Sequence, residues 1–379
     1  MRPRTIMAVG LTFMLTTTGL AYYLIRPPPI IILDGQPQKL TRHTPIIIDG
    51  DTSFSDIALL EGWLGDGSPE NPYIIDGLKI DLGGVVGHGI NISNTRVSFT
   101  ISNCIITGAY WGHGPCFCID GAAIFLINVT NGELVNNTCN SNGSGITLYD
   151  SYSNTIANNI CNNNTNYGIY LGNSDGNNVT GNTCNRNEQG IYLYAASDSN
   201  TEINNICNYN TVGIIIYNSD FNTVENNTCI SNADFGIGLH DSNYITVENN
   251  YCSNDSIGIS LFWSNYNAII SNTCNDNTIR GIFLDGSHDN RVWSNTCSKN
   301  TESGIYLFSS GGNRVFNNKC NRNGNYGIFL NLSDMNFLTG NTCNSNKIGI
   351  YLYESFTNTV TANIYLNNTE HDLFVEFES

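Results

Sequence analysis

Gly145-Ile146-Thr147-Leu148-Tyr149-Asp150-Ser151-Tyr152-Ser153-Asn154-Thr155-Ile156-Ala157-Asn158-Asn159-Ile160-Cys161-Asn162-Asn163-Asn164 is one copy of a unit that fills most of the chain. Its skeleton, G-I-x-L-x-x-S-x-x-N-x-[IV]-x-x-N-x-C-x-x-N, returns every 22 or 23 residues. Cysteine keeps the beat at 139, 161, 184, 207, 229, 252, 274, 297, 320 and 343. A Gly-Ile pair starts at 145, 168, 190, 213, 236, 258, 281, 304, 327 and 349. Asn stands two residues before each Cys, and Asn363 continues that series with Tyr365 in the Cys place. Another Asn, or Asp255, stands three residues after each Cys. A Ser column runs from Ser151 to Ser355, followed three residues on by Asn except at Ile245.

A repeat of this length belongs to a leucine-rich repeat or to a parallel β-helix. Gly-Ile-x-Leu alternates with period two, as a strand does. The remainder of the unit is Asn, Thr, Cys and β-branched residues, with almost no helix formers. The lone Ile/Val and the Cys therefore mark two further short strands bounded by Asn, and the β-helix is preferred. Identical residues stack ~4.8 Å apart in such a coil. Ile146, Ile169 and Ile191 form one internal column, and Leu148, Leu171 and Leu193 another. The Asn columns are expected at corners, where Asn tolerates left-handed backbone and its amide bonds to the Asn above and below. Stacked cysteines sit too far apart for disulfides, so the Cys column reads as buried, reduced thiols.

The 379 residues include 32 Asp and Glu against 15 Lys and Arg, three of them within the first 26 residues. From residue 27 on the balance is −20. A nucleic-acid partner needs a cationic footprint and is excluded. Ile6 to Ile25 is uncharged, preceded by Arg2 and Arg4 and closed by Arg26-Pro27-Pro28-Pro29. About 20 such residues span a bilayer. Residues 1–26 are read as a signal peptide or a membrane anchor, with the remainder on the extracellular face or secreted. Residues 27–45 read as a linker, 46–73 as an N-terminal cap, 74–368 as the β-helix and 369–379 as a C-terminal cap strand.

The repeat resembles the right-handed parallel β-helix family, in particular its branch similar to the periplasmic copper-associated protein NosD and to archaeal surface proteins. The stretch Asp66-Gly67-Ser68-Pro69-Glu70-Asn71-Pro72-Tyr73-Ile74-Ile75 is similar to the leader of such proteins. The resemblance implies an all-β, single right-handed solenoid with three short strands per coil. It also implies a carbohydrate-binding or carbohydrate-processing surface outside the cell. No catalytic motif carries over, neither a polygalacturonase-like set of acids nor a pectate-lyase-like basic residue.

A solenoid needs caps. Ser53-Phe54-Ser55-Asp56 reads as a capping box opening a short helix, with Ile57, Leu59, Leu60, Trp63 and Leu64 closing the first coil. Asp49, Asp51, Asp66, Ser68 and Glu70 are turn residues, with a Ca²⁺ site as the rival reading. At the far end, charged residues flank Leu373, Phe374, Val375 and Phe377 and guard the edge.

Residues 108–121 break the beat. His113, Cys116 and Cys118, with Cys104 and His88 in reach, are a candidate site for Cu or Zn. A disulfide from Cys104 to one of the pair is the competing reading.

The x positions of Gly-Ile-x-Leu-x point outward. They carry Tyr170, Tyr192, Tyr194, Tyr217, His240, Phe262, Phe283, Tyr306, Phe308, Phe329, Tyr351 and Tyr353. Such a face suits a linear carbohydrate or a surface protein, with a self-supporting aromatic ladder as the rival. The expectation is a surface module that binds carbohydrate or serves a structural, adhesive role. Its alternatives are a lyase, hydrolase or epimerase using Asp150, Asp241 or Asp285, and a metal-handling protein. Asp175, Asp198 and Asp220 stack one coil apart, either solvated or bridged by Ca²⁺.

Overall fold

The computed structural model describes residues 40–110 and 121–377. The expected signal or anchor segment, and the metal candidates His113, Cys116 and Cys118, lie outside the described residues.

Each repeat opens with a six-residue strand such as Ser144–Tyr149, Tyr167–Gly172 or Gln189–Tyr194. These strands stack in parallel into a 14-stranded sheet that runs from Ile46–Asp49 to His371–Glu376. Ile146 faces Ile169 and Leu148 faces Leu171, one coil apart in sequence. The alternation of Gly-Ile-x-Leu therefore sends one Ile column and one Leu column into the core, both fully buried. The Gly before each Ile is demanded by a close approach. A Cβ on Gly168 would lie 2.4 Å from the Gly190 carbonyl oxygen and 2.8 Å from the Cys184 Cβ.

Strands of three or four residues form a second, 13-stranded sheet from Tyr73–Asp76 to Thr359–Thr361. Their middle residues, Ile156, Val179, Val224 and Val247 among them, point inward. The third face, which carries the cysteines, is a true sheet only in places. Four strands from Thr41–Arg42 to Thr138–Cys139 form one patch, and Thr228–Ile230, Tyr251–Ser253 and Thr273–Asn275 another. Elsewhere it shrinks to single bridges such as Ile160 to Thr183 or Thr296 to Lys319. A lone inward Cys between two corners leaves too little extended backbone for a longer ladder.

The corners follow one rule. A residue in left-handed backbone turns the chain, and the next residue sends a polar side chain inward. Asp150, Ser153, Asn158 and Asn163 have φ of 48°, 54°, 57° and 55°, and precede Ser151, Asn154, Asn159 and Asn164. This corrects the sequence expectation, which put the left-handed backbone on the ladder Asn itself. Most of the inward amides are fully used, Asn200 and Asn222 being exceptions whose Nδ2 groups are buried without a partner. The Asn159 backbone N–H and its Nδ2 both donate to Oδ1 of Asn182, at 2.9 and 3.0 Å, and Nδ2 also donates to the Leu134 carbonyl at 2.8 Å. Ladders of this kind satisfy the backbone groups that the corners remove from the sheets.

At the amino-terminal end the helix Gly50–Glu61 lies against the first coils. It starts after Asp49, so Ser53-Phe54-Ser55-Asp56 sits within the helix and is not its capping box. Phe54 and Ala58 are buried, with Phe54 stacked on Tyr73 at 5.0 Å. Ile57 and Trp63 pack beside them, but Leu59, Leu60 and Leu64 face solvent, contrary to the expected closing face. Helix geometry puts Phe54, Ile57 and Ala58 on one side and Leu59 and Leu60 away from it. Gly62 ends the helix in left-handed backbone. Thr41–Arg42, in the stretch read as linker, pairs with Leu78–Lys79, and Ile46–Asp49, in the stretch read as cap, pairs with Ile90–Ser93, so both stretches contribute strands to the solenoid's sheets.

At the other end His371–Glu376 is the last rung, paired with Ile348–Tyr353. Leu373 and Val375 continue the internal columns and are nearly half exposed, because no further coil covers them among the described residues.

Candidate functional site

The twelve aromatic and His positions of the long-strand face are less available than the sequence suggested. Tyr170, Phe283 and Tyr306 are buried, Tyr192, Tyr217, His240, Phe262, Phe308, Phe329, Tyr351 and Tyr353 are only partly exposed, and Tyr194 alone of the twelve is exposed. The rings cover one another. Tyr306 and Phe329 stack at 4.7 Å and 4°, and Phe329 and Tyr351 at 4.8 Å and 5°. Tyr194, Tyr217 and His240 continue a second stack at 5.5 and 4.7 Å. Arg280 lies over both Phe283 and Tyr306, held by Glu302 at 3.0 Å. Rings sandwiched at coil spacing present edges to water, whereas a sugar stacks on a ring face.

The acids of this face are similarly engaged. Asp150 accepts from the Asn173 side chain. Asp241 lies 2.9 Å from Nδ1 of His240. Asp285 is partly buried, and burial raises its carboxyl above the ordinary range. They sit on three separate coils.

Asp175, Asp198 and Asp220 form a ladder through the backbone. Asp175 accepts the Asp198 N–H at 2.9 Å, Asp198 the Asp220 N–H at 2.7 Å, and Asp220 the Asn243 N–H at 2.7 Å. The stacked carboxylates are thus held by amides. The N-terminal acids serve the same end. Asp49 accepts from Ser93 and Asn94, and Asp51 from Thr95 and the Arg96 N–H. Asp66 caps its own turn through the Ser68 N–H.

Rings with free access lie on a different edge, at the corner before the short strands. Phe221, Tyr244 and Tyr266 occupy the left-handed position there, with φ of 60°, 57° and 59°. The same position is Ser153, Gly176, Ser199, Asp289, Gly312, Met335 or Thr357 in other coils. Phe221 and Tyr244 stack at 5.1 Å and 5°, Tyr244 and Tyr266 at 5.4 Å and 9°. All three are more than half exposed. Beyond Tyr266 the column carries no ring, and an open cleft of about 440 Å³ follows, bounded by Tyr266, Asp289, Arg291, Gly312, Arg314 and the Met335–Phe337 corner. Sequence reasoning passed over this edge because it searched the regular strand positions, and the signal was there: three consecutive aromatic residues in a column that elsewhere carries Ser, Gly, Thr, Asp or Met.

The Cys column gives no metal centre. All eleven described cysteines are buried and carry free thiols, Cys104 included, while Cys116 and Cys118, the partners in the rival disulfide reading, lie outside the described residues. Burial pushes the thiols of Cys161, Cys184, Cys207 and Cys274 up, and that of Cys104 to about 12. Metal binding needs thiolates with access to solvent. His88 is held inside, stacked on Phe125 at 4.4 Å, with Nδ1 accepting the Ala122 N–H. Burial lowers it to about 4. Among the described residues, no three His, Cys, Asp or Glu side chains converge on a common point. The described residues alone do not fit a bound copper ion, and the candidate ligands His113, Cys116 and Cys118 lie outside them.

The fold has well-characterised counterparts. A mutant of the periplasmic alginate epimerase AlgG superposes with a TM-score of 0.50 at 16% identity, over 80% of this chain and 80% of that one. The receptor-binding domain of the Siphovirus 9NA tailspike superposes with 0.50 at 10% identity, over 83% and 71%. At such identities the likeness is one of fold. No curated protein matches the chain. The family described as periplasmic copper-binding protein (NosD) matches residues 74–255, 196–302 and 242–376. The overlapping matches reflect a repeat that fits itself in several registers, and with its solenoid covered in this way the chain belongs to the NosD family.

Proposed function

We propose that the protein is an exported β-helix module that binds an extended carbohydrate along its outer surface. The observation that carries this reading is the exposed line of Phe221, Tyr244 and Tyr266. Bulky side chains in left-handed backbone cost about 1–2 kcal/mol each. Other coils carry Ser, Gly, Thr, Asp or Met at that corner, so three consecutive aromatic rings displayed to water favour a recognition role. Within this row too the inner ring faces cover one another, so a sugar would stack on the open face of Tyr266 at its end and run along the exposed outer edges of the rings. The periplasmic description of the family, and the similarity in fold to a periplasmic alginate epimerase, support an exported, glycan-facing role.

The test is a glycan array on the full chain, scored for binding and for cleavage. Binding without cleavage is the expected result. Cleavage would favour a polysaccharide-active enzyme instead, with the His240–Asp241 pair as the first residues to replace. Absence of binding to any glycan sinks the reading.

A further inference from the structure

We infer that the cleft beyond Tyr266 is a binding site for an anionic sugar, one carrying a carboxylate or a sulfate ester. This rests on the carbohydrate reading above and specifies the ligand's charge and position.

The first argument is the interrupted stack. One face of Tyr266 is covered by Tyr244, and the opposite face opens towards the next coils. Those coils place Asp289 and Gly312 in the same column, and Met335 follows. Two coils without a ring leave ~10 Å along the axis. The existing rings repeat at 5.1 and 5.4 Å, so one or two flat rings fit the gap at the same beat. Gly312 keeps the slot open. A Cβ there would lie 2.5 Å from Oδ1 of Asp289, so that carboxylate rests over the Gly backbone.

The second argument is charge. Arg291 and Arg314 lie directly opposite each other on adjacent short strands, and both are exposed. Neither guanidinium has an ion-pair partner among the described residues, whereas Arg280 does. Two like charges one coil apart repel unless something negative joins them. The segment around them is also set apart. Between Arg280 and Lys347 there are seven Lys or Arg against four Asp or Glu, while the chain from residue 27 on carries 12 against 32. A cationic stretch in an acidic protein concentrates the field where an anion is to be held.

The two arguments meet in one pose. A sugar ring continues the stack on the free face of Tyr266. Its carboxylate or sulfate reaches Arg291 and Arg314, which match such groups with paired N–H donors. Asp289 accepts hydrogen bonds from its hydroxyls and orients the ring with the anionic group away from itself.

The experiment is calorimetry on the full chain with three probes: hexagalacturonate, its fully methyl-esterified form and a sulfated hexasaccharide. Hexagalacturonate is expected to bind at least about tenfold more tightly than its ester. Its affinity should fall as NaCl rises from about 50 to 200 mM. Arg291→Gln/Arg314→Gln should remove that preference without changing the melting temperature, because both side chains are exposed. Tyr266→Ala should weaken every probe that binds. Tighter binding of the sulfated probe, lost in the double variant, supports the same site with sulfate as the anionic group. Equal binding of acid and ester, or an unaffected double variant, overturns the anionic inference and leaves the carbohydrate reading intact. Failure of all three probes, together with an empty glycan array, overturns both.

Discussion

Oδ1 of Asp255 accepts both the backbone N–H and the side-chain Nδ2–H of Asn232, at 2.7 and 2.9 Å. Asp255 thus fills one rung of a ladder that is otherwise Asn, from Asn142 to Asn368. Its Oδ2 stands where the other rungs carry an amide nitrogen, and it is buried without a partner. In the neighbouring rung, Asn277 Nδ2 donates to Oδ1 of Asn300 at 3.0 Å. A carboxylate can donate nothing at that point, but a neutral carboxyl can.

Burial raises the Asp255 carboxyl to about 7. The folded chain therefore keeps its proton at pH values where the unfolded chain has lost it. Below the unfolded value of 3.8 both states are protonated and the group costs nothing. Stability then falls as pH rises from about 4 to 7, and levels off once both states are ionised. The gap between these values corresponds to on the order of 4 kcal/mol. Asp255→Asn should be more stable than the parent at pH 8, and the two should converge at pH 4. Denaturant unfolding across that range decides it; a constant difference at all pH values contradicts the assignment.

Glu202 occupies the inward position of a short strand, between Val179 and Val224. It is fully buried and neither carboxyl oxygen has a hydrogen-bond partner. Burial holds its carboxyl well above the ordinary range. Glu202→Val restores the column and should raise stability at neutral pH by about 2 kcal/mol or more. The gain should shrink in acid, where the unfolded chain is protonated too. Thermal melting at pH 4 and pH 7.5 reads both effects, and a destabilised Val variant at pH 7.5 would assign Glu202 a partner or purpose in the core.

Asn227 tests the ladder. It accepts from the Asn205 N–H and Nδ2, and donates to Asn250 and to the Glu202 carbonyl. Asn227→Leu should cost about 1–3 kcal/mol because buried donors and acceptors on both neighbours lose partners. Thr223→Ala, on the outer side of the same coil, should cost little. Equal losses at the two positions would mean that the amides do not act as a stabilising column.

How far the sequence could be read follows from what repeats. The Ile, Leu, Ser, Asn and Cys columns each have a fixed spacing, and each lies in the structure as one stacked line. Periodicity identifies a column, but it does not say how deeply a column is covered. The long-strand rings were expected to stand in water because x positions alternate outward, yet most of them are shielded by a neighbouring ring, as Tyr306 is by Phe329 and Phe329 by Tyr351. Single departures from the repeat were harder to see. Glu202 in a Val column and Tyr266 at a left-handed corner matter because they break the pattern, and averaging over coils hides them. The helix start at Gly50 was missed for a similar reason, since Asp49 ends a strand and lends the helix no side-chain bond.

The long-strand ladder gives the last prediction, because it separates a structural stack from a binding one. Tyr306 is buried between Phe283 at 5.3 Å and Phe329 at 4.7 Å, under the Arg280 guanidinium. Both of its faces are occupied, so removing it opens a gap in the stack and leaves the Arg280–Glu302 pair without its platform. Tyr306→Ala/Phe329→Ala should therefore lower stability by about 2 kcal/mol or more, seen as earlier melting. The Ile and Leu columns behind the sheet are unchanged, so the circular dichroism spectrum should stay that of a β-helix. Carbohydrate affinity below the melting transition should match the parent, since Tyr266 and the two arginines lie on the short-strand side of the coil. Loss of affinity in this double variant, with Tyr266→Ala still binding normally, would move the recognition surface back to the long-strand face.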